Sequence, residues 1–86
     1  MQQFVHIIGD PLGIHARPAG LIAKLAGRFP DTVITIRKGE SAAKATQLMR
    51  LMGLGAKQGD AITVTAEGPC ESEAIAAMRQ FFAEGL

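Results

Sequence analysis

The spacing of apolar residues changes several times along the chain, and each change marks an element. Residues 4–8 form a short, β-rich apolar run that Gly9, Asp10 and Pro11 stop. Pro18, Leu21, Ile22, Leu25 and Phe29 then fall at i, i+3, i+4, i+7 and i+11. That spacing predicts one buried helix face, ended by Pro30. Residues 32–37 (TVITIR) alternate as a strand with Ile34 and Ile36 on one face, and Lys38 and Gly39 predict a hairpin into a weak strand over Ser41–Lys44. Thr46 is placed to cap a short helix carrying Leu48, Leu51 and Met52, closed by Gly53 and Gly55. Residues 61–66 (AITVTA) give the clearest strand, with Ile62 and Val64 alternating against Thr63 and Thr65. Gly68 and Pro69 open a last helix, whose first turn holds Glu71 and Glu73, where the dipole favours anions. Its buried stripe is Ala74, Ile75, Met78, Phe81 and Phe82.

The order is β-α-β, β-α-β, then a final helix. Four short strands cannot bury both faces of a sheet, so the simplest α+β packing is a four-stranded antiparallel sheet with its three helices on one side. The 86 residues are expected to form one domain, 1–86, with a hydrophobic fraction of 48% and no tryptophan or tyrosine in its core. So small a chain has little room for a buried catalytic cleft, which places its chemistry at the surface.

Charge and cysteine content narrow the class further. A net charge of +1 is too weak for a general nucleic-acid binder. A single cysteine, Cys70, excludes an internal disulfide and fits a reducing compartment. The opening MQQFVHII has neither a basic start nor a long apolar run, and no stretch nears the ~20 apolar residues of a membrane span. A cytoplasmic protein without membrane insertion is expected.

Candidate chemistry concentrates in residues 13–20, GIHARPAG. The first turn of a helix leaves backbone N–H groups without internal partners, and with the helix dipole they make an anion site. With His15 as the cap, Ala16 and Arg17 supply free N–H groups. Pro18 is tolerated in the first turn and fixes the backbone there. The Arg17 guanidinium forks onto phosphate oxygens. The same local field disfavours an imidazolium, so His15 is expected to stay neutral and nucleophilic near pH 7. A neutral imidazole beside an anion cradle suits covalent catalysis, with positioning supplying most of a phosphoryl transfer. The plainer reading makes His15 an ordinary cap and Arg17 a solvated charge; spacing alone leaves both open. His6, His15 and Cys70 lack metal-ligand spacing, His6 fits a structural strand residue, and Cys70 an inert thiol near a helix start.

The run Gly13-Ile14-His15-Ala16-Arg17-Pro18-Ala19 resembles the active-site motif of the HPr family, the histidine-containing phosphocarriers of the bacterial phosphoenolpyruvate:sugar phosphotransferase system. The likeness covers nearly the whole chain, including the element order and the region LMGLGAKQGDAITVTAEGP. It implies an open-faced β-sandwich in which His15 accepts phosphate on Nδ1 from phosphorylated enzyme I and donates it to enzyme IIA domains. Arg17 would bind the phosphoryl group and Pro18 would shape the helix start. The carrier would need no metal or other cofactor, and would be a carrier rather than an autonomous enzyme, monomeric in solution.

Two surfaces extend this expectation to docking. Arg17, Lys24 and Arg28 fall within about 20° of one line at 100° per residue. By resemblance, such positive charge meets acidic partner surfaces, although a solvated charged face would look the same. Leu48, Met49, Arg50 and Met52 crowd a helix too short to bury every side chain, and the matching family segment is an apolar docking patch. Leu12, apolar here, and the acidic residues after Gly68-Pro69 lean toward a specialised branch serving fructose, nitrogen regulation or dihydroxyacetone. The alternative is a regulatory relative acting mainly through protein binding. Many Gram-positive members carry a kinase-target serine where this chain has Gln47, so no ATP-dependent phosphorylation is expected there; Thr46 next to it is read as the cap.

Overall fold

The computed structural model describes residues 1–86. In chain order the elements are β1 (Gln2–Ile7), α1 (Ala16–Ala26), β2 (Val33–Lys38), β3 (Ser41–Lys44), α2 (Leu48–Gly53), β4 (Ala61–Glu67) and α3 (Glu71–Gly85). The four strands make one antiparallel sheet in the order β1-β4-β2-β3. It is an open-faced α+β sandwich, as the spacing of apolar residues predicts.

Alternation along the strands decides which face the helices cover. Phe4, Val64, Ile36 and Ala43 pair across all four strands, and all four are buried. The next row, Gln3, Thr65, Thr35 and Lys44, faces solvent or is only partly buried. Above the buried rows lie Ile22 of α1, Leu51 of α2 and Met78 and Phe82 of α3, each fully buried. Burying one such side chain contributes roughly 1.5–3 kcal/mol.

Several element edges depart from the sequence expectation. β1 starts two residues earlier than the apolar run, and β2 runs from Val33 to Lys38 because its ladder partners lie on β3 and β4. α1 ends at Ala26 rather than at Pro30: Arg28 and Phe29 donate to Leu25 and Ala26 in the tighter i−3 pattern. Its buried line is Pro18, Ala19, Ile22 and Ala26, while Leu21 is 47% exposed and Leu25 and Phe29 are only partly buried. Ala19 and Ala26 lie one turn to either side of Ile22 on this line, and Leu21 is rotated out of it. Thr46 does not cap α2. Gln47 occupies the cap position, and its Oε1 accepts instead from the Lys44 N–H at 3.2 Å. On α3, Phe81 is partly buried rather than part of the core stripe.

Candidate active site at the start of the first helix

The loop between β1 and α1 is built around a glycine that no other residue can replace. Gly13 has φ +65°, and a Cβ there would lie 2.1 Å from the Ala56 carbonyl oxygen. Ile14 N–H donates to that same oxygen at 3.1 Å, which ties the loop to the chain just after α2. The side chain of Ile14 is buried, so the following residue, His15, is delivered to the surface in extended backbone (φ −94°, ψ −173°).

His15 is the N-cap of α1, but its side chain makes no capping hydrogen bond. Its carbonyl accepts from Ala19 N–H at 3.0 Å. Pro18 has no N–H to offer, and it is buried where it fixes the turn. That leaves two backbone donors in the first turn, on Ala16 and Arg17, and neither has a partner within the protein. The first turn contains no acid. Ala16 and Arg17 are exposed, so these donors face water. Two amides, the positive end of a helix and one guanidinium thus converge beside an imidazole, an arrangement that holds an anion with several oxygens.

A shallow cleft of about 330 Å³ opens beside the imidazole, lined by Asp10, His15, Arg17, Leu21, Phe81 and Leu86 among others. The His15 side chain is 35% exposed there, enough for a partner to reach it. The Leu86 carbonyl accepts from the N–H groups of Gly9 and Asp10, closing the rim between β1 and the end of α3. A second groove, of about 300 Å³ near Phe29, Thr32 and Thr46, has Lys44 as its one charged residue and no acid, imidazole or thiol. No three His, Cys, Asp or Glu side chains gather closely enough to hold a metal ion.

Asp10 is the group that sequence reasoning missed. Its Oδ2 lies 3.6 Å from His15 Nε2, and its Oδ1 accepts from Leu12 N–H at 2.8 Å. The sequence expectation weighed only the helix field on His15. The structure adds a carboxylate facing one nitrogen of the ring. An aspartate two residues before a backbone N–H is a turn signal, visible in the sequence, but nothing there says which side chain the free oxygen meets.

The remaining predicted residues fall on one side of the molecule, because α1 and α2 pack side by side. Lys24 is exposed on α1, and Arg28 is exposed but lies beyond the end of that helix. On α2 Leu51 is buried, while Leu48 (40%), Met49 (76%), Met52 (38%) and Arg50 are exposed. His6 faces the helices and packs on the Phe82 ring at 5.3 Å, a structural position. Cys70 is the N-cap of α3 and is unpaired.

The profile described as "PTS HPr component phosphorylation site" matches residues 2–84. The chain belongs to the HPr family. Within it, the chain is 37% identical to phosphocarrier protein HPr of Mycoplasma genitalium over 79 residues, covering 92% of this chain and 90% of that one. The crystal structure of HPr-C-His from Thermoanaerobacter tengcongensis superposes with a TM-score of 0.91 at 33% identity, over 98% of this chain and 93% of the other. An HPr dimer from the same bacterium matches with a TM-score of 0.76, at 33% identity, over 98% and 95% of the two chains. Oligomeric state therefore does not follow from the HPr fold alone. In this HPr chain no helix is long and apolar enough to cross a membrane.

Proposed function

We propose that this chain is a cytoplasmic phosphoryl carrier of the phosphotransferase system, acting as one domain over residues 1–86. His15 takes a phosphoryl group from phosphorylated enzyme I and passes it to enzyme IIA domains. The observation that carries this reading is the pair of unpartnered N–H groups on Ala16 and Arg17 beside an accessible imidazole. In the transfer a ring nitrogen of His15, Nδ1 by family resemblance, forms a bond to phosphorus as the donor's N–P bond breaks. The leaving imidazole keeps the electron pair of that bond. The equatorial oxygens of the moving group meet the two amides and the Arg17 fork, while Pro18 keeps the first turn from relaxing. A site this open holds the product without burying it, as a carrier must.

Docking would use the adjoining surface, with Lys24 and Arg28 toward acidic partners and Leu48, Met49, Arg50 and Met52 as an adaptable apolar patch. His15, Ala16 and Arg17 are consecutive residues, so a monomer already holds the whole cradle and is the proposed working unit. Leu12, 72% exposed at the edge of the site loop, favours a partner of a specialised branch over the common enzyme IIA, since it offers an apolar contact there.

The test is incubation with phosphoenolpyruvate, magnesium and a panel of enzyme I and enzyme IIA proteins. One acid-labile, base-stable phosphate per chain is expected, absent from a folded His15→Ala variant. Label retained by that variant would move the site elsewhere.

A further inference from the structure

We infer that Asp10 is a positioning residue that assigns the two ring nitrogens of His15 their roles. This inference rests on the carrier reading. A carboxylate only accepts hydrogen bonds, so the ring nitrogen that faces one is the nitrogen that keeps its hydrogen. Here Nε2 faces Asp10 Oδ2 at 3.6 Å, an ion-pair distance longer than a hydrogen bond. The neutral ring is therefore assigned its hydrogen on Nε2, the nitrogen facing the carboxylate, and its lone pair on Nδ1.

Asp10 can do this because its own position is fixed. Its Oδ1 accepts from Leu12 N–H at 2.8 Å, its carbonyl from Gly13 N–H at 2.9 Å, and its N–H donates to the Leu86 carbonyl at 3.3 Å. Two bonds within the loop and one to the end of α3 aim the remaining oxygen at the ring. As Nδ1 gives its lone pair to phosphorus, the donor's N–P bond breaks and the departing imidazole keeps that electron pair. The hydrogen on Nε2 stays in place, and the His15 ring becomes an N-phosphoryl imidazolium. The Asp10 carboxylate offsets that new positive charge, on the side of the ring away from the incoming phosphate. The other charged side chain lining the cleft, Arg17, serves the phosphoryl oxygens instead.

Asp10→Asn separates charge from turn geometry. Its amide oxygen still accepts from Leu12 N–H, which turns the NH₂ group toward Nε2. A donor there inverts the preference and moves the ring hydrogen to Nδ1. Two-bond ¹H–¹⁵N correlation spectra of the unphosphorylated protein, at a pH where the ring is neutral, report this directly. The wild type is expected to show Nε2–H and the variant Nδ1–H, with phosphorylation by enzyme I slowed about tenfold. If Asp10→Asn fails to fold, Asp10→Ser keeps a turn acceptor without the charge. It is expected to lose about tenfold in kcat with KM for the phosphodonor unchanged. A wild type with Nδ1–H, an Asn variant that retains Nε2–H, or a folded Ser variant with unchanged kcat overturns the inference. A wild type whose phosphate is not on His15 overturns the carrier reading instead, and the two failures are distinct because the tautomer is read without phosphate.

Discussion

The chain contains two long helices, and their first turns carry opposite charge. The start of α3 carries its own anions. Glu71 and Glu73 occupy its first turn, Glu71 Oε1 accepts from Gly68 N–H at 3.4 Å, and Thr32 Oγ1 accepts from Cys70 N–H at 3.0 Å. Neither start has a side-chain cap, and each leaves two amides open, Ser72 and Glu73 in α3 and Ala16 and Arg17 in α1, but α1 has no acid beside them and a proline at the next position. A first turn without an anion forgoes roughly 0.3–1 kcal/mol. The lesson is that an anion site is made by keeping carboxylates away from the open amides of a helix start. Nothing inside the protein then competes with phosphate for those donors.

The largest disturbance to this contrast should come from Gly13→Ala, because the open start exists only where the loop holds it. A Cβ at φ +65° and 2.1 Å from the Ala56 oxygen forces the backbone apart, which should cost ~3 kcal/mol in denaturant unfolding. Little or no loss would mean that the loop reaches its position without Gly13.

Next, Arg17→Glu gives α1 the kind of acid that α3 already has. Phosphate acceptance by His15 should fall about a hundredfold while the melting temperature holds or rises. A loss of both together would show that Arg17 supports the fold rather than the anion.

The reverse experiment, Glu71→Gln with Glu73→Gln, opens α3 in the manner of α1. Melting should drop by a few degrees with phosphoryl transfer unchanged. Weakened transfer would reveal coupling between the two helix starts.

The smallest effect concerns a carboxylate that belongs to neither start. The Lys57 N–H, and then the Lys38 ammonium at 3.1 Å, hold the Asp60 carboxyl below the usual aspartate range. A folded value below the unfolded one stabilises above pH ~3.9, and that contribution is lost as the pH falls through the folded value. The melting difference between wild type and Asp60→Asn should therefore be full at neutral pH and close as the pH falls through the lowered folded value. A difference independent of pH would assign the effect to the neutral hydrogen bonds alone.

Much of the fold was legible because its signals are local. Ile34 and Ile36, or Ile62 and Val64, face the core simply because strand side chains alternate, and no distant residue has to be known. α1 is less legible, since its large residues point to Leu21 while the buried line runs through Ala19, Ile22 and Ala26. Which apolar stripe is buried depends on how closely the neighbouring layer approaches. On α2, exposure of Met49 was legible, but the cap was misplaced by one residue because Gln47 turns back toward Lys44.

By itself, then, the sequence determined the elements, their apolar faces and a His-Ala-Arg-Pro helix start with open amides, all consequences of backbone geometry within a few residues. Only the tertiary structure decided the strand order β1-β4-β2-β3, the seat of Gly13 against Ala56, the pairing of α1 with α2, and the meeting of Asp10 with His15. Ala56 lies 43 residues beyond Gly13 in the chain, and whether two such segments touch is set by how whole layers pack. For Asp10 the separation is short, but the direction of its free oxygen is fixed by a loop whose anchors sit at the far end of the chain, on Leu86, and after α2, on Ala56. Local rules place a carboxylate near a histidine; long-range anchors decide which nitrogen it faces.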